Sequence, residues 1–193
     1  MERELLFSIF AFLITLWSTT LYWIGVYKKE ILPHPFTFFI WTIVLSISSI
    51  ELIENNEILG SIAIILMTIS NIGLLIFGIY GWKALEINHF DWAFLIAGIL
   101  LLMFWRYEPN YGYVLGVMIG IDACAYASSF KKAWIQPFTE KSGPYFISVG
   151  NNICTIFAIS LWNFENLGMW IWTAGINFVF ACFILLRQYS MRK

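Results

Sequence analysis

Apolar runs of membrane-crossing length recur along this chain, and that recurrence limits its fold more than any motif does. They cover residues 5–27, 36–54, 59–82, 91–106, 111–131, 144–162 and 168–187. A helix rises 1.5 Å per residue, so about 20 apolar residues cross a hydrocarbon core roughly 30 Å thick. Charged residues make up 12% of the chain and mean hydropathy is +0.77, whereas a soluble domain carries about 25% charge. The pattern predicts an all-α integral membrane protein, one membrane domain over 1–193 with seven transmembrane helices. The first run is too long for a signal-peptide core and lacks a small-x-small cleavage site, so it is expected to remain a helix. Pro33, Pro35, Pro109, Pro137 and Pro144 all lie in linkers or at span starts, which leaves every span free to be helical.

Charge gives the orientation. Seven spans put Lys28, Lys29, Lys83, Lys131, Lys132, Lys141, Arg187, Arg192 and Lys193 on one face and only Arg3 and Arg106 on the other. Positive loops face the cytoplasm, which predicts an outside N-terminus and a cytoplasmic C-terminus in a plasma (inner) membrane. The outer face is acidic, with Glu51, Glu54, Glu57, Glu108 and Glu165. Trp23, Trp41, Trp82, Trp92 and Trp134 fall at the inner boundary, and Trp105, Trp162, Trp170 and Trp172 near the outer one, as interfacial belts. Trp17 lies deep in the first span.

Several chemistries find no footing. The net charge of −1 is not a nucleic-acid footprint. Cys124, Cys154 and Cys182 show no CxxC or metal spacing, and His34 and His89 sit in loops. No metal or cofactor is expected. There is no HExxH, GxSxG or histidine cluster and no retinal-holding lysine in the seventh span, so the chain does not read as an enzyme or photoreceptor.

The chain also repeats itself. "YWIGVYKKEILPHPF" from Tyr22 resembles "YASSFKKAWIQPF" from Tyr126, and Asn71 and Asn177 each sit near the centre of a span at a similar interval. Residues 5–82 and 111–187 then form two three-helix repeats. The run 91–106, "DWAFLIAGILLLMFWR", has no polar side chain between its ends and suits an inverting linker on the periphery. An odd linker gives both repeats the same orientation, a 3+1+3 arrangement of parallel repeats.

Each of the other six spans carries polar groups at mid-depth. Thr15, Ser18, Thr19 and Tyr22 recur in the first span, and Thr42, Ser46 and Ser49 in the second. Asp122, Tyr126 and Ser129 share a face of the fifth; Ser148, Asn151, Asn152 and Thr155 line the sixth. Spacings of three, four and seven place such groups on one side of a helix. Polar atoms in hydrocarbon need partners, so the six faces are expected to turn inward to a shared wet cavity. Asp122 is the sharpest case. A carboxylate at membrane depth costs about 2.5–3.5 kcal/mol on insertion scales and marks ion, proton or substrate paths; burial is expected to raise its pKa. Gly112, Gly116, Gly120, Cys124 and Ser128 form a small-residue stripe on another face, suited to close helix packing.

In topology the chain resembles the SWEET and PQ-loop transporter superfamily, including the PnuC vitamin transporters. Asn71 and Asn177 resemble the paired central asparagines of SWEET substrate sites, and "DACAYASSFKKAWIQPF" is similar to a PQ-loop segment with Gln136-Pro137 in reversed order. The family's hinge prolines are missing from the spans. The resemblance implies a transporter or facilitator for a small polar solute (a sugar, vitamin or amino-acid-like molecule) bound at mid-membrane between the repeats. Asn71, Asn177, Asn151, Asn152, Trp17 and Tyr126 are the candidate substrate contacts, and Asp122 is the candidate for proton coupling. The expected partners are the solute and the lipid bilayer, with homo-oligomerisation left open. The alternatives are a SWEET-fold ligand-binding or sorting receptor and a small membrane subunit of a larger complex.

Overall fold

The computed structural model describes residues 2–54, 58–81, 84–105, 111–160 and 162–192. Among them the chain forms seven α-helices and no strand. They are α1 (Glu2–Tyr27), α2 (Pro35–Glu54), α3 (Ile58–Tyr80), α4 (His89–Trp105), α5 (Tyr111–Ile135), α6 (Ser142–Ala158) and α7 (Phe164–Arg192), with a 3-10 turn at Pro137–Thr139. Three stretches are long and apolar enough to cross a membrane: Glu2–Tyr27, Val114–Ile135 and Leu167–Arg192. Shorter apolar stretches occupy Pro35–Ile47, Ile65–Tyr80 and His89–Phe104. Glu57, Trp82, Lys83, Arg106, Glu108, Pro109 and Lys193 lie outside the described residues, as do the side chains of Glu51, Glu54, Trp105 and Glu165.

Local chemistry sets the helix ends. Lys29 takes φ 59° after α1, and the Glu30 and Ile31 amides both return to Gly25 O. This reversal lays Ile31 on Gly25, where a Cβ would stand 2.4 Å from Ile31 Cδ1; only glycine leaves that space. Pro35 opens α2, where a missing N–H is harmless and the fixed φ suits a first turn. At α4, Asn88 Oδ1 accepts the Phe90 amide at 3.0 Å and Asp91 Oδ2 accepts the Asn88 amide at 2.9 Å. The cap thus satisfies the amide of the second helical residue, and the third residue satisfies the amide of the cap.

The helices fall into two compact groups. The first holds Met1–Ile31, Glu108–Ile119 and Ala133–Lys193; the second holds Leu32–Tyr107 and Gly120–Lys132. The boundaries 5–82 and 111–187 are boundaries in sequence, and each contact group draws helices from both segments.

In the first group α1 packs on α6, and α6 on α7. Ser18 Oγ donates to Pro144 O at 2.8 Å while the Phe7 and Phe157 rings lie 5.3 Å apart, so α1 and α6 are antiparallel. Leu115 seats against Gly168 and Arg187 Nε donates to Trp134 O at 2.9 Å, so α5 and α7 run the same way. Tyr145 sits between Tyr22 and Phe180, at ring separations of 6.2 and 4.7 Å, and Phe180, Ala181 and Ile184 are fully buried.

In the second group α2 packs on α3 and, over a smaller area, on α4. Gly98 of α4 lies against Ile40 and Cys124, and Leu101 against Gly120. The C-terminal half of the small-residue stripe is therefore a packing face. Asp91, Leu95 and Gly98 are buried along one side of α4, whereas Trp92, Ile96, Leu100 and Met103 are exposed on the other. An apolar exposed stripe at helical spacing suits lipid. The loop at the start of α2 is enclosed: Pro33, His34, Pro35 and Phe36 are all buried. In the second group Gly78 of α3 approaches Pro33 O and Pro35, Gly81 approaches Leu32, and the Lys132 ammonium of α5 donates to Leu32 O.

Candidate functional site

The sequence places Asp122, Tyr126 and Ser129 one turn apart along α5, and in the second group this face meets the start of α2. The Trp41 indole N–H donates to Asp122 Oδ1 at 2.9 Å. One turn earlier, Thr37 Oγ1 donates to Ala125 O at 2.7 Å and lies 2.9 Å from Ser129 Oγ. Trp41 is held from two sides, with its ring 5.1 Å from Tyr126 and 5.4 Å from Phe38, both edge-on. Asp122 is 8% exposed, and Thr37, Tyr126 and Ser129 are buried.

The physical logic is direct. An acid inside an apolar helix must find donors, and an indole N–H inside the packed interior must find an acceptor, since it can only donate. A hydrogen bond to a charged group contributes about 1.5–3 kcal/mol, comparable to the insertion cost of the acid. The sequence reading put Trp41 in the inner-boundary belt; in the structure its N–H donates to Asp122.

Asn71 is half-buried on α3 in the same group, one turn beyond Thr68, whose Oγ1 lies 3.4 Å from Ser49 Oγ of α2. The other candidates belong to the first group. Asn152 and Asn177 are buried, and each amide nitrogen turns back onto its own helix, to Ser148 O and Thr173 O, both at 2.8 Å. Ser18 and Ser148 share Pro144 O and lie 3.1 Å from each other. Asn151 O accepts from Thr155 Oγ1 at 3.0 Å, while the buried Asn151 Oδ1 makes no hydrogen bond. Trp17 is 59% exposed.

Asp122 and Tyr126 are thus the sequence-predicted pair brought into one site, and Trp41, Thr37 and Phe38 are the residues that complete it. In the first group Ser18, Ser148, Asn152, Thr155, Thr173 and Asn177 each donate to a backbone carbonyl, and Asn151 Oδ1 is buried without a hydrogen bond. Serine and threonine bonds to the carbonyl four residues back relieve these groups locally. No family model matches the chain, and neither does any curated protein or solved structure.

Proposed function

We propose that the chain is a membrane transporter or facilitator for a small polar solute, built as two parallel three-helix repeats joined by α4. The observation that carries this reading is Asp122, an enclosed acid on a helix apolar enough to cross a membrane, bonded to Trp41. Intramembrane acids are costly and mark transport paths. The direction of the helices supports the same reading. In the first group the C-terminal ends of α1 and α7 lie with the N-terminal end of α6. In the second, the N-terminal ends of α2 and α4 lie with the C-terminal ends of α3 and α5. A chain that crosses a membrane in sequence needs this alternation within each group.

In this reading Asn151, Asn152, Asn177 and Trp17 of the first group and Asn71 and Tyr126 of the second are candidate solute contacts, each taken within its own group, and Asp122 is the proton-coupling group. The test is uptake of sugars, vitamins and amino acids into proteoliposomes with and without a pH gradient. Asp122→Asn should abolish gradient-driven accumulation and leave downhill exchange. Gradient-driven uptake that survives this substitution removes the coupling role, and the absence of any solute flux removes the transport reading.

A further inference from the structure

The basic end of the second group holds a charge cluster that Asp122 does not touch. Asp91 is 0% exposed. Its Oδ2 accepts both the Asn88 amide and the Lys131 ammonium, which also donates to Glu86 O. Its Oδ1 makes no hydrogen bond and faces His34 Nε2 at 3.6 Å. His34 is 3% exposed and its Nδ1 makes no hydrogen bond either. The Lys131 side chain is 14% exposed, so of the three it has the way out to water.

We propose that His34 and Asp91 form a proton-binding site, in which a proton on the imidazole replaces the Lys131 ammonium as the counter-charge of Asp91. The unfinished geometry carries this. At 3.6 Å no hydrogen bond exists, but the oxygen already faces the ring nitrogen. A charge-assisted pair at about 2.7–2.9 Å needs one proton and under ~1 Å of approach. The charged groups facing His34 are Asp91 from α4 and Lys131 and Lys132 from α5; α2 contributes the uncharged Phe36 ring, 5.7 Å away. With both lysines in place, a proton on His34 would put three cations around one carboxylate. Burial first, then Lys132, and then Lys131 against the pull of Asp91 hold the imidazole down at about 3. When Lys131 swings out to water, one repulsive charge leaves and a buried anion loses its partner. His34 then takes a proton from solvent. Lys131 keeps its own, so the cluster gains one proton in the exchange. The lysine lets go of Asp91 and of Glu86 O together, while Lys132 keeps its bond to Leu32 O.

The test is a histidine titration of the full-length protein in detergent micelles. The chain has two histidines, His34 and His89, so ¹³Cε1-histidine labelling gives two signals, assigned with His89→Gln. In the wild type His34 should stay neutral from pH 8 to about 5. In Lys131→Gln its proton affinity should rise about tenfold, and Lys131→Arg should keep the wild-type behaviour. A His34 that titrates identically in wild type and Lys131→Gln overturns the site. A second measurement needs no charge-removing variant. With ¹³Cε-lysine also present, the Lys131 signal should move toward that of a free lysine at the midpoint of the His34 ring. Separate midpoints overturn the exchange.

Discussion

The indole of Trp41 and the carboxylate of Asp122 satisfy one another across two helices, at 2.9 Å and inside packed surroundings. Neither residue has that status alone: the acid is costly in an apolar helix, and the indole N–H can only donate. Trp41→Phe should therefore cost about 1.5–3 kcal/mol, much more than a belt tryptophan would. Combined with Asp122→Asn in a double-mutant cycle, the pair should show a coupling of about 1 kcal/mol or more. Reversible unfolding in mixed micelles is the measurement, and additive single effects would mean the bond contributes nothing.

Gly78 and Gly116 make a paired prediction on backbone space. A Cβ at Gly78 would lie 2.8 Å from Pro33 O and 3.2 Å from Pro35. Those are backbone atoms of a proline-fixed loop, so nothing nearby can rotate aside. Gly78→Ala should destabilise by about 1–3 kcal/mol. Around Gly116 nothing lies within 4 Å, so Gly116→Ala should be neutral or stabilise by about 0.5–1 kcal/mol through helix entropy. Unfolding midpoints of the two variants, measured side by side, check both.

Stability should fall with acid through His34. In the unfolded chain the ring titrates near 6.5; in the folded protein burial, then Lys132, push it down to about 3. As pH falls the unfolded state therefore binds the proton first. The contribution is full above about pH 6.5 and is lost at up to ~1.4 kcal/mol per unit on the way toward about 3. The loss should flatten where Lys131 releases Asp91, since the proton then binds without unfolding. His34→Gln should remove this slope, and Tm measured from pH 8 to 4 shows whether it does.

What could be read from the residues followed the physics of single helices. Apolar runs marked the helical segments, and three-and-four spacing put Asp122, Tyr126 and Ser129 on one face. The bare run of α4 foretold its exposed apolar side. What stayed hidden was partnership between distant segments. A tryptophan near a span end looks the same whether it meets headgroups or an acid 81 residues away. His34 sits between two prolines and Asp91 opens a later span, and nothing local tells either residue of the other. The asparagines hid a local bond: centrality in a span does not show that Asn152 and Asn177 each spend a donor on their own helix.

The bond from Ser18 to Pro144 O spans 126 residues of chain, and that has a consequence for biosynthesis. α1 leaves the ribosome well before α6, its packing partner. Until α6 arrives, the hydroxyl edge of α1 must be sheltered by lipid headgroups, by water at an insertion site or by an assisting protein. Delayed closure of this kind slows maturation, and it leaves α1 open to quality control until α6 is made.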